Sequence, residues 1–309
     1  MYSVTRSNYL NKNKIDKLAS GEKEWILTSG WNKSVMNADD YRAYVGGTSG
    51  LIYGYVNDGF YKVEDFEYFD SKSRTWKLKE GVVDSSPLSD TPRPGNAKFK
   101  KLTPVDPNSS NPYQLTEADR TVIGNTTPKF SGGFGLNATY KGFDLSMFFN
   151  FMYDFDVFNA NKVMLTTWAD NHENNFGMEV ASDKRWRNFD DMGNEIRYSP
   201  ELLAEFNKNA TMWNPTSIGK PISMSYAVED GSFLRLNSAT LGYTLPQGWT
   251  KKAGLNKVRF YVAGSNLFTI TGYSGYDPEV DIATGLTPNI DNNRYPRSRT
   301  YTFGAQLTF

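Results

Sequence analysis

The chain has 309 residues, 34 basic and 34 acidic side chains, zero formal charge and no cysteine. That balance argues against a nucleic-acid partner, which would need a basic face to neutralise phosphates, and the missing cysteines exclude disulfides, thiolate metal sites and thiol nucleophiles. Aromatic residues make up 15% of the chain, yet no run approaches the about 18 consecutive apolar residues of a membrane-crossing helix. Barrel strands are shorter and alternate, so this leaves a β-barrel membrane protein open.

In chain order, Met1 to Arg6 lacks the basic, apolar and small-residue regions of a secretory leader. An outer-membrane reading therefore expects further sequence upstream. Residues 4–10, 51–56 and 97–102 are weaker strand candidates. Residues 84–112, rich in Ser, Pro and Asn, read as a surface loop. From Phe130, alternate residues Phe134, Leu136, Ala138 and Tyr140 share one face, and Ser131, Asn137 and Thr139 the other. Lys141-Gly142 then turns the chain, and Phe143, Leu145, Met147, Phe149, Phe151 and Tyr153 restart the pattern, which predicts a hairpin.

Residues 154–231 form a long polar connection with a short helix over 200–207, Pro200 standing in its first turn. A second strand pair follows over 232–245 and 255–270, then another long connection over 271–297. The closing strand places Tyr301, Phe303, Ala305, Leu307 and Phe309 on one face and Thr302, Gly304, Gln306 and Thr308 on the other. Short turns alternating with long loops, and aromatics at both ends of an apolar face, fit an antiparallel transmembrane barrel. With about eight countable strands, the chain reads as one architectural unit over 1–309 and as part of a barrel.

Catalysis finds little support. The single histidine, His172, sits in a polar loop, where solvation is the default. The carboxylate pairs Asp154/Asp156, Glu229/Asp230 and Asp277/Glu279 all lie in or beside loops, where turn formation accounts for acids. The expectation is a protein that is not an enzyme and has no cofactor. Trp168, Trp186 and Trp213 fall in the first long connection. A flat ring in a wet loop is a platform for a sugar face or an anchor for a peptide, and the alternative is packing of the loop on itself or on a lid. Arg185, Arg187 and Asn188 flank Trp186 as hydrogen-bonding candidates.

Several stretches together resemble the carboxy-terminal part of the SusC/RagA family of TonB-linked outer-membrane transporters. Asp119-Arg120-Thr121-Val122-Ile123-Gly124-Asn125 leading into Tyr140-Lys141-Gly142-Phe143-Asp144 is the first of these. Val228-Glu229-Asp230-Gly231-Ser232-Phe233-Leu234-Arg235-Leu236 and Leu241-Gly242-Tyr243-Thr244-Leu245-Pro246 follow. Ser265-Asn266-Leu267-Phe268-Thr269, Tyr273-Ser274-Gly275-Tyr276-Asp277-Pro278-Glu279-Val280 and Tyr295-Pro296-Arg297 complete the set.

The resemblance implies the closing strands of a 22-stranded, plugged barrel, with plug and signal peptide outside these residues. It implies import of oligosaccharides or peptides across the bacterial outer membrane. A SusD-like surface lipoprotein would cap the barrel, and the TonB–ExbB–ExbD complex would drive it through the missing amino-terminal part. Tyr301, Phe303, Leu307 and Phe309 would then face outer-membrane lipid and signal to the barrel assembly machinery. Many relatives carry an acidic, calcium-loop-like run before the Asp-Arg-Thr motif. Here Pro104-Val105-Asp106-Pro107-Asn108 stands in that place, and no metal is expected there. Outside the family reading, the same alternation suits a soluble β-rich carbohydrate-binding protein, a passive porin or an adhesin.

Overall fold

The computed structural model describes residues 1–31, 39–167, 176–180, 183–280 and 285–309. Its frame is one antiparallel sheet of six strands: β1 (Tyr2–Leu10), β2 (Phe130–Tyr140), β3 (Phe143–Tyr153), β4 (Phe233–Thr244), β5 (Lys257–Thr271) and β6 (Thr300–Thr308). Each strand pairs with its predecessor in the chain, so the sheet is an up-and-down meander with open edges at β1 and β6. Apolar alternation through each strand builds this sheet, because residues directly opposite one another share a face.

Two neighbouring rows across the sheet show the division. Val4, Leu136, Met147, Ala239, Gly264 and Tyr301 pair in one row, all of them small, apolar or aromatic. The row beginning Ser3, Asn137, Ser146, Thr240, Ala263 and Thr302 lies on the opposite face and is small and polar. Both faces are open, and the apolar one carries bare side chains, Phe303 80% exposed and Ile270 62%. A contiguous bare apolar face of this kind marks a surface meant for lipid or for protein. On the polar face, Arg259 holds Asp144 with both nitrogens of its fork, Nε to Oδ1 at 2.9 Å and the terminal nitrogen to Oδ2 at 2.5 Å.

The rows slip once. Phe148 opposes Ser238 while Phe149 opposes Leu236, so Asn237 is an extra residue in β4. On the other flank Leu236 pairs with Phe268 and Ser238 with Ser265, and Asn266 takes a left-handed conformation at φ 53°. The bulge keeps both faces in phase on either side of it.

The two short connections, at 141–142 and 245–256, lie at one end of the sheet. Residues 11–129, 154–232 and 272–299 all leave from the other end and pack together as a cap. The cap has its own short strands. Glu24–Leu27, Tyr41–Tyr44, Leu51–Gly54 and Thr121–Asn125 make one sheet. Asp156–Asn159 pairs with Val228–Asp230 on one side and Ile290–Asp291 on the other, tying the second excursion to the third. Its helices are α1 (Ala160–Thr166) and α2 (Pro200–Phe206), the latter capped by Ser199 with Pro200 in the first turn, as the sequence predicts.

Two expectations need correction. Strands do form at Leu51–Gly54 and Ala97–Phe99, but in the cap, so the wall has six strands rather than about eight. Residues 84–112 are only partly a surface loop, since Leu88, Ala97 and Phe99 enter the core. That core is common to all three excursions: Tyr41, Ile52 and Phe99 from the first, Phe158 and Ile222 from the second, and Ile290 from the third.

The β2–β3 turn is built from two residues with positive φ, Lys141 at 46° and Gly142 at 89°. A Cβ on Gly142 would also lie 2.8 Å from the Thr244 carbonyl oxygen. Gly142→Val should therefore destabilise the wall by about 1–2 kcal/mol from backbone strain alone, with Lys141→Asn neutral or stabilising. Heat-modifiable migration of the two variants in the intact protein checks this, and equal melting of both against the parent would contradict it.

Candidate functional site

Among the described residues, those singled out for function lie in the cap, apart from Tyr301, Phe303, Leu307 and Phe309. The Asp119-Arg120-Thr121 motif acts as an anchor. Asp119 is fully buried, and its Oδ1 accepts from the Leu102 and Thr103 amides and the Thr103 hydroxyl at 2.7–2.8 Å. Its Oδ2 accepts from the Thr116 amide at 2.8 Å and the Thr116 hydroxyl at 3.1 Å. Burial opposes ionisation, but these donors outweigh it and hold the carboxyl down at about 2. Asp106, nearby, accepts from the Asn108 amide and makes a local turn.

Trp186 and Trp213 are spent on packing. Trp186 is 3% exposed, lies edge-on to Phe60 at 5.7 Å and packs with Ile196 and Leu203. Gly95, at φ 89°, backs the indole, and a Cβ there would collide with it. Trp213 is 2% exposed and donates its indole N–H to the Thr166 carbonyl at 3.1 Å. Rings so covered offer no face to a sugar or peptide in this conformation. Trp168 and His172 lie outside the described residues.

The flanking polar residues fare differently. Arg185, Arg187 and Asn188 line one open cleft of about 420 Å³ together with Phe189, Arg197 and Asn214. Here the sequence grouping holds in space.

A larger cleft of about 770 Å³ opens between the second and third excursions. Its floor is a polar network. Asn159 caps α1 by accepting from the Lys162 amide at 3.1 Å, which points Lys162 at Glu229, 3.3 Å away. Glu229 also accepts from the Ser274 amide at 2.9 Å and hydroxyl at 2.8 Å. Burial pushes the Glu229 carboxyl up, and these partners more than reverse it, leaving it below the usual carboxylate range. The rim carries Tyr276, 85% exposed, and Tyr295, 91% exposed. These two bare rings are what reasoning from the tryptophans missed. Their signal was present, since both stand in short Gly- and Pro-punctuated runs where a ring has no strand face to join.

The carboxylate pairs are all engaged. Asp277 and Glu279 meet Arg235 at 2.5 and 3.5 Å, and Glu279 also meets Arg297 at 3.0 Å. Asp156 accepts from the Asn125 amide at 2.7 Å, and burial raises its pKa. What the cap presents to solvent is surfaces for contact, among them a cleft edged by tyrosine and a more polar one edged by arginine.

A six-stranded meander, apolar outside, with all its long excursions at one end, defines a barrel wall of the outer-membrane kind. Comparison carries this further. No family model matches the chain. TonB-dependent receptor P3 of Formosa agariphila is 31% identical over 305 residues, covering 97% of this chain and 26% of that protein. TonB-dependent receptor SusC of Bacteroides thetaiotaomicron is 37% identical over 86 residues, 27% of this chain and 8% of that one. Among solved structures, the RagAB peptide importer in its closed-closed state superimposes with a TM-score of 0.65 at 22% identity, over 100% of this chain and 27% of that chain. The chain thus belongs to the TonB-dependent receptors, is similar to SusC among them, and spans about a quarter of the length of the P3 receptor.

Asp119 supports the cap only while it is charged. Because its folded pKa lies below the ordinary value, its contribution is complete above about pH 4 and disappears as pH falls towards 2. Asp119→Asn should cost about 2 kcal/mol at neutral pH. Faster trypsin cleavage around Lys100 and Lys101 in the intact protein is the expected readout, and an unchanged rate would count against the anchor.

Proposed function

We propose that the chain is the carboxy-terminal part of an outer-membrane importer that takes up oligosaccharides or peptides by TonB-dependent transport. The observation that carries this reading is the sheet itself: an exposed apolar face, a polar face bearing the Arg259–Asp144 pair, and one end crowned by three excursions. Lipid then covers the apolar face, the polar face lines the lumen, and the cap stands on the cell surface. The clefts of the cap meet cargo, and a SusD-like lipoprotein closes over them. The similarity to SusC and to the RagAB peptide importer supports such a partner. The TonB–ExbB–ExbD complex engages the remainder of the transporter, where the plug belongs. Relatives that are receptors and transporters, together with the engaged carboxylates, support binding rather than bond chemistry.

Tyr301, Phe303, Leu307 and Phe309 carry the second part of the proposal. Phe303 and Leu307 pair with Val262 and Val258 of β5, and Tyr301, Phe303, Leu307 and Phe309 are all exposed. This edge is a signal the barrel assembly machinery can read. The transporter carrying this chain, expressed in its native host, should fractionate with the outer membrane and resist SDS until boiled. Removing Phe309 should lower its surface level several-fold. Recovery as a soluble monomer would falsify the membrane reading, and normal surface levels without Phe309 would remove only the signal.

A further inference from the structure

Around the cleft lined by Arg185, Arg187 and Asn188, basic side chains gather beyond those the sequence groups together. Arg197 lines it from the opposite strand of a small turn, and a second depression sharing Asn188 and Arg197 adds Arg74 and Arg93. Against these five guanidinium groups the two linings contain two acids, Asp190 and Asp191. Asp190 is consumed by its own turn, accepting from the Met192 and Asn194 amides and the Asn194 side chain at 2.8–2.9 Å. Asp191 pairs with Arg187 at 2.6 Å, but its side chain is 76% exposed, and such surface pairs contribute little and exchange readily. Arg197 pairs with the equally peripheral Glu195 at 2.7 Å, and Arg93 with Asp90. Among the described residues Arg185 meets only a carbonyl, that of Val180 at 3.3 Å, and the Arg74 guanidinium lies over the Tyr198 ring at 4.9 Å.

The backbone beside the cleft is already paired. The Trp186 amide donates to Met212, Ile196 to Asn188 and Asp190 to Asn194. Among the described residues, these amides are therefore not free to pair with an extended peptide. The remaining recognition groups are side chains: planar guanidinium forks matched to carboxylates, the Asn188 amide, which both donates and accepts as vicinal hydroxyls require, and the Asn214 NH2, whose own Oδ1 already accepts from the Thr216 amide at 3.1 Å and hydroxyl at 2.9 Å. We infer that this cleft is an anion-selective subsite for an acidic oligosaccharide, its guanidinium forks holding uronate carboxylates and its amides the neighbouring hydroxyls. The inference rests on the import reading and narrows its cargo.

The test is calorimetric titration of the whole transporter, purified in detergent, with tetragalacturonate, a neutral tetrasaccharide and tetra-aspartate. Tetragalacturonate should bind about tenfold or more tighter than the neutral probe, and added salt should weaken it. Arg185→Gln should cost about tenfold of that affinity and Arg185→Lys less, because lysine keeps the charge and loses the fork. Heat-modifiable migration confirms that each variant is folded, and Arg197→Gln serves if Arg185→Gln is not. Equal affinity for the charged and neutral probes, or binding indifferent to Arg185 and Arg197, overturns the subsite. Arginine-dependent binding of tetra-aspartate without tetragalacturonate overturns the sugar assignment in favour of a peptide. Either result in a protein recovered from the outer membrane leaves the import reading standing, whereas a soluble protein removes both.

Discussion

Everything in this molecule depends on the pairing that keeps apolar side chains on one face of the sheet and small polar ones on the other. A period of two permits this only if register is held across all six strands, since a slip of one residue would turn a strand's whole apolar set inward. The bulge at Asn237 shows how it is held. One extra residue in β4 is met by two in β5, and the rows on either side stay matched. The meander then dictates the rest. With two tight connections at one end, all the long ones must leave from the other, and their meeting there is a result of topology before any contact among them forms.

The polar face is not inert. Arg235 stands on it next to Asn150 of β3, is almost wholly buried, and carries the Asp277–Glu279–Arg297 network of the third excursion. Burying that many charges adds little net stability by itself, but removing one partner would leave the others stranded. The network therefore works as a register mark, fixing where the third excursion re-enters the wall. Near the opposite end the Arg259 fork lies flat over Gly242, in space that any side chain there would fill. Phe148 is an exception to the face rule, an inward ring resting over the bare backbone of Gly133.

The wall was legible in the sequence because its information is local. Phe130–Tyr140 and Phe143–Tyr153 appear with the predicted bounds, and β6 needs only nine residues to declare its faces. The cap was not legible, because its core joins Tyr41, Phe158 and Ile290 from segments more than a hundred residues apart, with no periodicity to report them. The same blindness explains the tryptophans. Trp186 sits between two arginines, a polar setting in sequence, yet Gly95 and Phe60 arrive from a different excursion to bury it. Arg185, Arg187 and Asn188 are neighbours along the chain, so their gathering on one cleft needs no long-range contact to bring it about. For residues 51–54 and 97–99 alternation identified strands correctly, but a run so short does not say which sheet it belongs to.

A core shared by three separate stretches also limits how such a protein can change. Exchanging either of the two larger excursions with a relative's would leave about half of a hydrophobic interior facing the wrong partner. Recombination between homologues, which moves contiguous stretches of gene, could transplant the cap only by carrying the wall strands between its parts. New surface chemistry is therefore reached by altering single side chains on the cleft surfaces above an interior that stays as it is. Laboratory grafting of specificity faces the same rule: the three excursions travel together or not at all.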